Sequence, residues 1–277
     1  MRRHLRTTLT ASGRILLLLV VLLACCQSRM IYHPRGYEAA YIQEQGADPL
    51  PYTTSQGKQV AWMLHAENAQ PEKVWLVFTG NGTCALDMVP FFRETAPLKH
   101  DLIAFMDYPG YGRSEGRPTP ENIRESAKAL MPAVAAHLRM STEALRPRLR
   151  VFGHSLGCAS ALMAMNENGI KRGTLVAPFT TMLDMAQCTV GWPLCHILHH
   201  RFHNMASLRQ LQKRGGCRLE VVHGTHDEVI PSSQGRALAA AFPEMITFHS
   251  AVQGSHNGIL NSHRPLIVAA IRAARED

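Results

Sequence analysis

Largely apolar runs alternate with stretches of helical periodicity along this chain from residue 53 onward. The apolar runs at 60–64, 74–78, 102–106, 149–152, 174–177 and 219–222, with a shorter one near 246–249, predict strands. The run at 74–78 is apolar at every position, as expected of a strand covered on both faces. Between these runs the sequence predicts helices. Thr119-Pro120-Glu121 supplies a cap, a proline in the first turn and an acidic partner for the dipole of a helix reaching about Arg139, with Pro132 expected to bend it. Further helices are expected behind Ser155 as far as Asn168-Gly169, over 232–242, and over roughly 259–274. Strands and helices in alternation predict an α/β chain with a mostly parallel central sheet of about eight strands, flanked by helices. No internal repeat interrupts this order.

The first 50 residues read differently. Arg2, Arg3, Arg6 and Arg14 precede an uninterrupted apolar stretch at 15–24, too short to span a bilayer, which needs about 20 residues. Basic residues, a short apolar core and small residues at its end predict a signal peptide over 1–24. Leu22-Leu23-Ala24-Cys25 also resembles the lipobox of bacterial lipoproteins, which implies lipidation at Cys25; cleavage with release and a retained signal anchor are the alternatives. No acidic residue follows the cysteine to resemble an inner-membrane retention signal. The expectation is an exported protein held at the membrane of the bacterial cell envelope, facing the periplasm. Residues 25–50 read as a tether and an N-terminal arm packed on the surface, and 51–277 as one α/β domain.

Charge and cysteines narrow the classes. The formal charge falls from +8 to +4 without the leader, which holds four arginines and no acid. No arginine stripe interleaved with aromatics remains, so nucleic-acid binding has no support. Of the seven cysteines, Cys25 and Cys26 belong to the leader region, and Cys84, Cys158, Cys188, Cys195 and Cys217 match no zinc spacing. Scattered thiols are expected, with Cys188–Cys195 the pairing to look for in an oxidising compartment.

The chemistry centres on Gly153-His154-Ser155-Leu156-Gly157, directly after the run at 149–152. A serine aimed out of a tight strand-to-helix turn needs flanking residues without Cβ atoms, and both glycines are present. Its hydroxyl is a poor nucleophile near neutral pH, so a base and a group to orient that base must follow. After 219–222 comes His223-Gly224-Thr225-His226-Asp227-Glu228, and after the next short strand Gly254-Ser255-His256-Asn257. Asp227 is the candidate acid, with Glu228 as alternative, and His256 the candidate base. His249 lies within a strand and His263 on a helix, while Asp107 precedes Ser155 and is in the wrong order. Two donors must hold the developing oxyanion. One is the backbone N–H of Leu156. The other is assigned to Asn81, or else Gly82, in Thr79-Gly80-Asn81-Gly82, the alternative there being a plain tight turn.

These pieces, with Tyr32-His33-Pro34 and Asp107-Tyr108-Pro109-Gly110-Tyr111-Gly112-Arg113-Ser114, resemble the α/β-hydrolase superfamily, in particular serine hydrolases related to serine aminopeptidase and Bem46-like proteins. The resemblance implies the α/β-hydrolase fold, a structural turn at 107–114, and a small cap insertion at about 180–217. Relatives usually carry histidine where Thr79 stands, so the internal bonding of that loop is expected to differ.

The cap interval contains His196, His199, His200 and His203, which a helix would place on one face. A basic cap face is expected there, with a metal site or substrate contact as alternatives. Met182, Leu183, Met185, Trp192, Leu194, Ile197, Leu198 and Phe202 are available either to line an acyl pocket or to pack the cap. The resulting expectation is a serine hydrolase cleaving an ester or thioester through an acyl-enzyme on Ser155, with a small-molecule acyl substrate and no cofactor or metal. An aminopeptidase-like amide hydrolase and a non-catalytic exported ligand-binding lipoprotein are the alternatives.

Overall fold

The computed structural model describes residues 11–65, 70–95 and 98–276. Its eight strands are β1 (Asp48–Thr54), β2 (Gly57–Leu64), β3 (Val74–Phe78), β4 (Leu102–Met106), β5 (Leu149–His154), β6 (Arg172–Val176), β7 (Arg218–Gly224) and β8 (Ile246–Ala251). They form a single sheet in the order β1-β2-β4-β3-β5-β6-β7-β8. β3 to β8 run parallel, whereas β2 is antiparallel to both β1 and β4. Every residue of β3 and β4 is buried, the outcome for central strands covered on both faces. On one face Phe92 packs edge-on against Phe105 and Phe152.

The helices before the elbow are α1 (Ala11–Ile31), α2 (Ala39–Gln45), α3 (Val89–Arg93), α4 (Pro120–His137) and α5 (Thr142–Leu145). After it come α6 (Leu156–Asn168), α7 (Met182–Val190), α8 (Asn204–Arg214), α9 (Ser232–Ala241), α10 (Ile259–Ser262) and α11 (Arg264–Arg275). Thr119 caps α4 by accepting from Asn122 N, and Gly169 ends α6 in the left-handed region, as their sequences predict. The stretch predicted as one helix over 259–274 is instead two. Pro265 lies in the first turn of α11, where its missing N–H costs nothing, so the helix restarts there. Asp101 holds α11 to the sheet, accepting from Arg275 Nε and Trp75 Nε1.

Three further departures follow from packing. The strand β1 falls where an arm was expected, because Pro49 and Pro51 conceal its pattern; at a sheet edge a missing N–H is tolerated, while Leu50 and Tyr52 point into the core. The tether expected from residue 25 is instead the last turns of α1. Among the described residues no helix is long and apolar enough to cross a membrane. Cys188 is exposed and Cys195 buried, both as free thiols, so they form no bridge.

Candidate active site

Ser155 lies between β5 and α6 with φ 57° and ψ −121°, a conformation that L-residues rarely adopt. The surrounding glycines make this turn possible. A Cβ on Gly157 would lie 2.1 Å from the Phe78 carbonyl oxygen, and one on Gly153 would lie 2.6 Å from the Gly157 oxygen. The elbow is therefore pressed against β3 by contacts that only hydrogen at Cα allows.

The loops after β7 and β8 bring the other two predicted residues to this serine. His256 Nε2 lies 2.9 Å from Ser155 Oγ, and His256 Nδ1 lies 2.8 Å from Asp227 Oδ2. The three side chains are almost wholly buried. Asp227 Oδ1 accepts from the N–H groups of Val229 and Ile230 at 3.0 and 2.7 Å, which fixes the rotation of the carboxylate. Burial alone would raise the Asp227 pKa; hydrogen bonds from His223, His256 and Ile230 outweigh it and hold the group well below the usual carboxylate range. Glu228, the alternative acid, accepts from the backbone N–H of His256 at 3.0 Å and so fixes the loop rather than the ring. His249 pairs with Glu220, and His263 bonds to Ser262 and the Val252 carbonyl, which leaves neither near the serine.

The Asn81 loop reaches the same place. Asn81, Ser155 and Leu156 line one cavity of about 290 Å³. Asn81 is held on three sides: its Nδ2 donates to the Ile31 carbonyl at 2.9 Å, and its own carbonyl accepts from Tyr111 O–H at 2.6 Å and His33 N–H at 3.2 Å. Thr79 closes its loop by donating to the Thr83 carbonyl at 2.7 Å. Asp107 takes no part. Its oxygens accept from Tyr37 O–H, Trp62 Nε1, Ala85 N and Arg113 N, a turn network that ties the N-terminal arm to β2.

The cap supplies half of the residues that line the cavity. Met182, Met185, Leu194, Ile197 and Leu198 line it, whereas Leu183 does not, Phe202 is buried in the core and Trp192 is 76% exposed. The four histidines share no helical face. His196 lies in a short 3-10 turn, His199 and His200 in the following loop, and His203 caps α8 by accepting from Ala206 N at 3.1 Å. The extended backbone at Leu198 breaks the period the spacing required. Among the described residues no group of three metal-ligating side chains converges.

Three contributors were given no role by the sequence. His223 is fully buried, with Nε2 2.9 Å from the Ile230 carbonyl and 3.4 Å from Asp227 Oδ2. Gln27 and Ile31 of α1 also line the cavity. For Ile31 the only hint in the sequence is its place beside Tyr32-His33-Pro34.

His154 stacks at a tilt on His256, ring centroids 5.3 Å apart. Burial, reinforced by the neighbouring His256, lowers its pKa from 6.5 to about 4. A base whose pKa is lower folded than unfolded binds fewer protons when folded. Its stability contribution is therefore complete above pH 6.5 and is lost as the pH falls toward 4, by about 3 kcal/mol in all. Denaturant unfolding of wild type and His154→Gln at pH 7 and pH 4 should show the wild type losing about 3 kcal/mol more than the variant over that interval. Equal losses would contradict the neutral, buried imidazole.

No protein-family model matches the chain. Human alpha/beta hydrolase domain-containing protein 17B is 24% identical over 185 residues, 67% of this chain and 60% of that one. The bem46 protein of Schizosaccharomyces pombe is 23% identical over 198 residues, 70% of this chain and 65% of its own. The chain thus spans less than two thirds of the length of either relative. Among solved structures, the Pyrococcus furiosus esterase superposes with a TM-score of 0.66 at 13% identity, covering 88% of this chain and 96% of that one. The sheet order and these likenesses give the chain the α/β-hydrolase fold, with similarity to alpha/beta hydrolase domain-containing and Bem46 proteins.

Proposed function

We propose that the protein is a serine hydrolase that cleaves a carboxylic ester or thioester through an acyl-enzyme on Ser155. The observation carrying this reading is the continuous relay from Ser155 Oγ through His256 to Asp227, at 2.9 and 2.8 Å. As Ser155 Oγ attacks the carbonyl carbon, His256 Nε2 takes its proton and Asp227 stabilises the imidazolium through Nδ1–H. The carbonyl oxygen becomes an oxyanion, received by the N–H groups of Leu156 and Asn81. Collapse expels the alcohol or thiol, which leaves with the proton from His256. Water, deprotonated by the same imidazole, then attacks the acyl carbon; the bond to Ser155 Oγ breaks as His256 returns the proton to that oxygen, and the acid is released.

The cavity supports an acyl rather than an aminoacyl substrate. Its lining is largely apolar and includes no carboxylate to hold a substrate ammonium group. At about 30 Å³ per water-sized group, its volume suits a chain on the order of ten carbons. In this reading the protein is exported and held at the membrane, through a lipid on Cys25 or through a retained α1. A fluorophosphonate probe is expected to label the wild type and to leave Ser155→Ala unlabelled. Equal labelling of the two, or none of a folded wild type, would defeat the assignment.

A further inference from the structure

Part of the cavity wall comes from α1, which adjoins the cap. Gln27 is 7% exposed and joins this helix to the cap: its Oε1 accepts from His199 N at 2.6 Å and His200 N at 3.3 Å, while Nε2 donates to the Ala24 carbonyl and, at 3.4 Å, to that of Ile197. Tyr32 O–H adds a bond to His200 Nδ1 at 3.2 Å. No slack chain therefore separates the apolar N-terminal segment from the acyl cavity. From Cys25 to Met30 the helix rises only about 7–8 Å.

The rim of the cavity is apolar and open. Met30 and Val229 line it and are nevertheless 49% and 47% exposed. Trp192 stands 76% exposed between Val190 and Leu194, which both line the cavity. Farther back on α1, Ile15, Leu18 and Leu22 are exposed at helical spacing. Exposed Arg14, Arg29 and Arg201 flank these groups along the chain, and cations suit an anionic lipid headgroup layer. A solvent-exposed tryptophan beside such a rim has the amphipathic character favoured at a membrane interface.

We propose that this rim docks on a lipid surface, and that the acyl chain enters the cavity directly from that surface along α1. The proposal rests on the serine-hydrolase reading for its chemistry but not for its docking. A retained α1 would present Ile15, Leu18 and Leu22 as well, whereas a lipid on Cys25 would leave Met30, Val229 and Trp192 as the rim; under either anchor Gln27 still bonds His199 N and His200 N of the cap.

Tryptophan emission tests the docking by itself, because Trp62 and Trp75 are 2% and 0% exposed and Trp192 alone can enter a new environment. Full-length Ser155→Ala protein is titrated with vesicles of phosphatidylcholine and phosphatidylglycerol; a blue shift is expected, and it should vanish with Trp192→Phe. For turnover, Trp192→Ala should lower hydrolysis of a decanoyl ester embedded in those vesicles about tenfold, with a soluble butyryl ester kept within about twofold and vesicle turnover restored in Trp192→Phe. No shift with any vesicle, or equal loss on both esters, overturns the proposal. If the wild type hydrolyses neither ester, the hydrolase reading fails while the emission shift still decides the docking.

Discussion

Replacing His256 by alanine is expected to lower kcat for a soluble aryl ester by about 10⁶-fold, with Asp227→Asn costing about 10⁴-fold. The difference between the two follows from their positions. His256 Nε2, 2.9 Å from Ser155 Oγ, is the atom to which the serine proton must move, so removing it leaves the hydroxyl without a base. Asp227 acts through the ring, fixing which nitrogen carries hydrogen and stabilising the charge that forms there. Because the serine and histidine act as one unit, Ser155→Ala combined with His256→Ala should be scarcely slower than either alone. The check is kcat and KM for each variant on the same ester, with KM expected to stay near the wild-type value. A His256→Ala enzyme within about tenfold of wild type would remove this histidine from the proposed chemistry.

Gly157→Ala is expected to have the largest effect on folding, a loss of more than about 4 kcal/mol, seen as insoluble protein or a collapsed Tm. The added Cβ would meet the Phe78 and Thr79 carbonyl oxygens at 2.1 and 2.7 Å, and backbone atoms of a central strand cannot retreat as a flexible side chain would. Gly82→Ala is the control. It is in the neighbouring loop, its Cβ would meet nothing within 4 Å, and its stability should stay within about 0.5 kcal/mol of wild type. If Gly157→Ala folded as stably as Gly82→Ala, the close approach of the elbow to β3 would be refuted.

These two expectations draw on different kinds of information. The elbow and the candidate acid and base could be picked out in the sequence because each lies in the connection that follows a strand, and strand ends in a parallel sheet deliver their loops to one edge. The chain order Ser155, Asp227, His256 therefore implied their convergence. Gln27, Ile31 and His223 were not legible. They meet the site through packing between segments far apart in sequence, and a lone glutamine at the end of an apolar stretch has no periodic or motif signal to mark it.

The same division runs through the whole chain. Local rules sufficed wherever one element determines its own conformation: the apolar runs of β3 and β4, the Thr119 cap, the glycine after α6, the glycines around Ser155. The sequence by itself determined the fold class and marked Ser155, Asp227 and His256 as candidates, because strand periodicity and tight-turn sterics are properties of neighbouring residues. Only the tertiary structure decided that Pro49 and Pro51 stand in an edge strand, that His196 to His203 do not share a helix, and that α1 forms part of the wall of the cavity beside Ser155. Each of these depends on what lies across from a segment rather than within it: an open sheet edge that needs no N–H, a cap turn held by Gln27, and an apolar helix end covered on one side by the cap.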